Sequence, residues 1–120
     1  MNRFKQFSKS LSFAVRGLKY VIRNEKNFQN ELAIGIMAVV AMIYFHVTRA
    51  EMIVLAIIIM AVLIMELINT ILERVVDILK PRVHPYARLI KDLMAASVLL
   101  TSILAVIVGL IIFIPYVMKY

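Results

Sequence analysis

Between residues 4 and 23 the apolar and basic positions separate onto opposite sides of a helix. At about 100° per residue, Phe4, Phe7, Leu11, Ala14, Leu18, Val21 and Ile22 fall on one side, while Lys5, Lys9, Arg16, Lys19 and Arg23 fall opposite. That pattern predicts an amphipathic helix lying on a membrane, its apolar side in the headgroup boundary and its cations against lipid phosphates.

A polar break at residues 23–27 (RNEKN) comes before an apolar stretch at 32–47, which with its flanks predicts a first crossing over 30–48. The stretch is short for a span, and tilt or local thinning accommodates that. After a brief connector at 48–51, residues 52–65 are apolar without interruption, and the helical period continues to residue 78. A second crossing is expected over 52–78, its C-terminal part leaving the hydrocarbon. Lys80-Pro81 and His84-Pro85 predict a break, since proline has no amide hydrogen and disfavours helix in the residue before it. A surface segment at 86–92 then leads into a third crossing over 93–117. The expected fold class is an all-α membrane protein, a single domain over residues 1–120 with an amphipathic surface helix and three transmembrane helices.

Composition agrees with this pattern. The chain is 63% hydrophobic with a mean hydropathy of +0.93, against roughly 45–50% apolar content in a soluble domain. It contains no cysteine, so disulfides, thiol catalysis and cysteine-bound zinc are excluded and any metal must be held by oxygen. A net charge of +7 would suit nucleic acid, but Lys and Arg number 7 in residues 1–30, 1 in 48–51, 5 in 74–92 and 1 near the C-terminus. Cations that flank apolar segments point to a membrane surface, and no nucleic-acid partner is expected. The positive-inside rule puts the N-terminus and residues 74–92 on the cytoplasmic side, which three crossings permit. No secretory signal pattern precedes the first apolar run, so the N-terminus is expected to be retained.

The chemistry lies on the second predicted span. Glu66, Asn69, Thr70, Glu73 and Asp77 stand at offsets of 0, 3, 4, 7 and 11, which places all five on one helical face. Acids on an apolar helix are costly, so this face must look at water, cations or a protein interior. A hydrogen-bonded stripe that joins helices is the plain alternative. Glu66, which follows fourteen apolar residues, is the hardest to explain as merely solvated. Cations occupy the same layer: Arg82, Arg88 and Lys91 follow the stripe, and Lys19 and Arg23 precede Glu25. Carboxylates with separate cations suit metal-assisted phosphoryl transfer, in which hard oxygen ligands hold Mg²⁺ and basic side chains neutralise phosphate. There is no Walker loop or glycine-rich kinase loop, so a nucleotide would be held by scattered groups. A proton or cation relay through Glu66, Glu73 and Asp77 is a second reading. It suits the pattern poorly, because residues 32–45 carry no acid and the third span offers only Ser97, Thr101 and Ser102.

The string E-x-x-N-T-x-x-E-x-x-x-D from Glu66 through Asp77, followed by Lys91-Asp92 and AASVLL at 95–100, resembles the signature of the bacterial diacylglycerol kinase and undecaprenol kinase family. Asn24-Glu25 and the A-x-x-G of Ala14 and Gly17 fit as well, and the likeness covers nearly the whole chain. The resemblance implies a homotrimeric helical bundle in the bacterial cytoplasmic membrane, with active sites shared between subunits at the cytoplasmic surface. It implies ATP-dependent phosphorylation of a lipid alcohol, undecaprenol or diacylglycerol. By the same resemblance Glu66 is the catalytic base at the lipid hydroxyl, Glu25 and Glu73 are Mg²⁺ ligands, and Asn69 supports the acidic face. ATP contacts are implied for Lys91, Asp92, Asp77, Glu25, Glu73 and the backbone around Arg82, Val83 and His84. Ile71 and Met94 stand where relatives carry small residues, which raises a third reading, a catalytically inactive scaffold. Residues 27–31 (NFQNE) differ from the version common in relatives that use undecaprenol, so either lipid remains open. His46 and His84 read as an interfacial and a loop residue.

Overall fold

A computed structural model describes residues 2–119, with the side chains of Pro81, Val83 and His84 outside the description. The described chain forms helices α1 (Arg3–Asn24), α2 (Lys26–Phe45) and α3 (Arg49–Lys119), and no strand occurs among the described residues. Three stretches are long and apolar enough to cross a membrane: Lys26–Phe45, Arg49–Lys80 and Pro85–Lys119. The fold is that of an all-helical membrane protein.

α1 starts on Asn2, whose side chain accepts the Lys5 amide at 2.8 Å and so satisfies one of the open donors of the first turn. Val21 is its sole buried residue. Phe4, Phe7 and Leu11 stay exposed, Phe4 by 79%, which leaves the apolar side free to enter a bilayer surface. Glu25 alone separates α1 from α2, with extended backbone at φ −107° and ψ 109°. Gln29 fastens the corner: its side-chain amide donates to the carbonyls of Ile22 at 2.8 Å and Arg23 at 3.2 Å, which have no partner within α1.

α2 packs closely on α3. A Cβ placed on Gly35 would lie 3.0 Å from Cγ2 of Ile59, so the absence of a side chain there lets the two backbones approach. His46 ends α2 in the left-handed region at φ 54°, its amide donating to the Met42 carbonyl. Thr48 then begins α3 with a capping box: Glu51 accepts the Thr48 amide at 3.0 Å, and the Thr48 hydroxyl accepts the Glu51 amide at 3.2 Å.

The prolines predict a break that the structure replaces with a bend. The backbone stays helical through residues 80–85, yet a straight helix of 71 residues would be roughly 106 Å long at 1.5 Å per residue. The longest dimension of the molecule is only 56 Å. The Tyr116 hydroxyl also donates to Glu51, a residue 65 positions earlier, so α3 doubles back at its prolines into two antiparallel arms. Proline removes single hydrogen bonds of the helical ladder, and two of them four residues apart allow the axis to turn while the rest of the ladder persists.

The main buried cluster joins Met42, Val47, Leu55 and Ile112, where α2, the start of α3 and the end of α3 meet. Phe45, Phe113 and Tyr116 close around it, with the Phe45 ring 6.2 Å from Phe113 and 6.0 Å from Tyr116. Outward-facing Met37 and Val40 on α2 and Leu100 and Ile111 on α3 are exposed, as a lipid-facing surface requires.

Candidate active site

Away from this cluster, toward the bend, the first arm of α3 carries the acidic stripe of Glu66, Glu73 and Asp77. Glu66, Asn69 and Thr70 are the buried polar residues among those described, with Glu66 only 3% exposed. The helical period puts the stripe on one side, and the burial of its first members turns that side inward. Thr70 donates to the Glu66 carbonyl at 3.1 Å, and the Asn69 amide donates to the Glu73 carboxylate at 3.2 Å. Glu73 lies seven positions beyond Glu66, about 10 Å along the axis.

α2 supplies the facing side. Asn27 and Glu31 of α2, with Glu73 of the same arm of α3, stand near enough to act on the Glu66 carboxylate. Asn27 and Glu31 were missed as site residues. Their spacing of four on one helical face was a legible signal, but polar residues just before an apolar run read more simply as an interfacial border. Glu31 also lines an apolar cavity of about 190 Å³ that continues between α2 and both arms of α3, past Gly35, Ile59, Ala105 and Gly109.

Nearer the bend, the acids meet cations. Arg74, the neighbour of Glu73, forms an ion pair with Glu25 at the α1–α2 corner. Lys91 Nζ lies 2.7 Å from Asp77 Oδ1 and joins the two arms of α3, whereas Arg88 pairs with Asp92 within the second arm at 3.4 Å. Arg82 is exposed, and nothing is described of the Val83 and His84 side chains. Lys91 and Asp77 are therefore brought together, Glu25 is held by Arg74, and Asp92 faces Arg88. Ile71 is exposed on a groove of about 660 Å³ between α1 and α3, with Gly17, Tyr20, Thr70 and Arg74, while Met94 is buried.

Among the described residues of one chain, no group of three His, Asp or Glu side chains is placed to hold a metal ion. Mg²⁺ is commonly bound by one or two carboxylates together with phosphate oxygens and water, so it needs no such cage. Glu25 already holds a cation, the Arg74 guanidinium, and Glu73 acts on the same guanidinium electrostatically. In donor chemistry the pair fits a hard divalent ion.

A helical membrane protein with three spans and an acidic layer gathered toward one end is the class that fold and site define. The family model described as prokaryotic diacylglycerol kinase matches residues 12–113. The chain is 31% identical over 114 residues to the undecaprenol kinase of Bacillus subtilis, covering 95% of this chain and 93% of that one. It is 37% identical over 101 residues to the diacylglycerol kinase of Synechocystis, covering 83% of this chain and 58% of that longer protein. It is 31% identical over 104 residues to the diacylglycerol kinase of Escherichia coli, covering 87% of this chain and 85% of that one. The chain belongs to the prokaryotic diacylglycerol kinase family, and with it to the membrane lipid kinases.

Proposed function

We propose that this protein transfers the terminal phosphate of ATP to the hydroxyl of a membrane lipid alcohol, undecaprenol or diacylglycerol, at the cytoplasmic surface of the bacterial membrane. The observation that carries this reading is Glu66, a carboxylate almost wholly enclosed within a membrane-spanning helix among Asn27, Glu31, Asn69 and Glu73. A group so expensive to bury calls for a chemical purpose. Glu66 accepts the proton of the lipid hydroxyl as its oxygen bonds to the γ-phosphorus and the bond to ADP breaks. Glu25 and Glu73 hold Mg²⁺, which when bound offsets the negative charge on the phosphate oxygens. Asn69, through its hydrogen bond to Glu73, keeps that ligand oriented.

Lys91, anchored by Asp77 across the bend, faces the polyphosphate together with Asp92 and the backbone at 82–84. The groove between α1 and α3 is lined almost entirely by apolar side chains and would admit an acyl or prenyl tail beside Thr70 and Arg74. Exposed acids and cations around a single chain's site favour completion by further copies, which the homotrimer implied by the family resemblance would supply, and the cations of residues 1–30 and 74–92 favour a cytoplasmic N-terminus.

The test is transfer of radiolabelled phosphate from ATP by the purified protein in detergent, with undecaprenol and diacylglycerol offered side by side. Mg²⁺-dependent labelling of at least one lipid is expected. Labelling of neither, by protein that is folded and supplied with both substrates, would reject the proposal.

A further inference from the structure

We propose that Arg74 is a built-in competitor for the divalent cation at Glu25. Its guanidinium holds the carboxylate while the site is empty of metal and releases it when the cation arrives. The inference rests on Glu25 being a metal ligand, as argued above, and concerns how that ligand is kept ready.

Glu25 occupies the one non-helical position between α1 and α2 and makes no side-chain capping bond to α2. A carboxylate at such a corner has no helix to fix its rotamer. What fixes it is Arg74, 49 residues away in sequence, whose Nη2 reaches Glu25 Oε1. That nitrogen stands where a positively charged ligand of the carboxylate belongs. The arginine side chain is 52% exposed while that of Glu25 is 19% exposed, so the cation is the partner with freedom to leave. Tyr20 already stands beside the guanidinium and would keep a hold on it after Glu25 is released, and Arg74 also lines the open groove between α1 and α3.

Charge makes the competition unavoidable. Glu25 and Glu73 together carry −2, and Arg74 reduces the local sum to −2 + 1 = −1. A divalent ion entering beside Glu25 must displace the guanidinium or lie next to a like charge, and either lowers its affinity. Because the pair is partly exposed, the effect is that of a well-placed surface ion pair rather than a buried one. Arg74 is thus a positioning residue acting through Glu25.

Binding of Mn²⁺ as the probe, followed by electron paramagnetic resonance on the full chain in detergent with a non-hydrolysable ATP analogue and no lipid, tests this. Arg74→Gln is expected to bind Mn²⁺ roughly fivefold more tightly than the parent protein. Arg74→Lys, which keeps the charge, is expected to bind as the parent does. Equal or weaker binding by Arg74→Gln overturns the inference. If the parent's Mn²⁺ site is lost in Glu25→Gln but unmoved in Arg74→Gln, the metal reading stands and the competition falls. If neither the parent nor Arg74→Gln binds Mn²⁺, both fall together.

Discussion

Where α2 meets the two ends of α3, polar groups are satisfied within a few residues or by a single partner, and apolar side chains fill the space between. Thr48 and Glu51 cap each other, Tyr116 donates to Glu51, Lys119 lies 5.9 Å over the Tyr116 ring, and Leu55 is 2% exposed. Around Glu66 and the bend in α3 the logic reverses. Acids outnumber the groups that could neutralise them near Glu66, two of the three described ion pairs join separate segments of the chain, Arg74 with Glu25 and Lys91 with Asp77, and Arg88 remains largely exposed. The first end is assembled for stability; the second holds costly charges in a membrane span, which is the expense that function imposes.

The sharpest way to test that contrast is Glu66→Gln. The amide keeps the shape and hydrogen-bonding capacity of the side chain but cannot take a proton, so phosphate transfer is expected to fall by a factor of about 10² to 10⁴. Removing a carboxylate buried beside Glu31 and Glu73 also relieves repulsion and desolvation. Thermal unfolding should therefore occur at the same temperature or higher, with nucleotide binding retained. A variant that kept parental transfer would remove Glu66 from the role of base. One that lost both activity and stability would make the acidic end structural after all.

How much of this was written in the sequence differs between the same two regions. Apolar runs long enough to cross a bilayer gave away the helical membrane fold, because in lipid a spanning segment must satisfy its backbone internally. The acidic stripe was equally legible, since Glu66, Asn69 and Glu73 share a face through the helical period alone. Helical periodicity says nothing about what stands opposite a face, so the approach of Asn27 and Glu31 to Glu66 and of Arg74 to Glu25 required the packing of α2. The prolines were read as a break because each forbids a local hydrogen bond. Whether a chain then stops being helical or merely turns depends on what the two arms gain by packing together, and that gain is settled between residues such as Glu51 and Tyr116, far apart in sequence.

Leu55→Ala probes the far end with the next largest effect. Leu55 is the most enclosed apolar residue of the cluster with Met42, Val47 and Ile112. Truncation of a buried leucine leaves a cavity worth about 2–5 kcal/mol in water-soluble proteins. Here lipid rather than water surrounds the separated helices, so the transfer part shrinks and about 2 kcal/mol is expected. Detergent-titrated unfolding measures it. Kinase activity at low temperature should stay close to that of the parent, because Leu55 meets the site only through the apolar cavity that it lines together with Glu31. An equal loss of activity at temperatures where the variant is fully folded would mean that the two ends are mechanically coupled.

The smallest effect belongs to Thr48→Ala. The hydroxyl of Thr48 accepts the Glu51 amide, and losing an N-terminal cap of this kind costs about 1 kcal/mol. Two features push the expected cost toward the lower part of the range for such caps. The Thr48 amide can still donate to Glu51, and Tyr116 still fastens the same carboxylate from the end of α3. Thr48→Ser, which restores the acceptor, should return stability to the parental value. If Thr48→Ala instead cost as much as Leu55→Ala, the turn between α2 and α3 would hold this end together as much as the buried cluster does, and the division of labour drawn between the two ends would have to place polar caps, rather than apolar packing, at the base of the fold's stability.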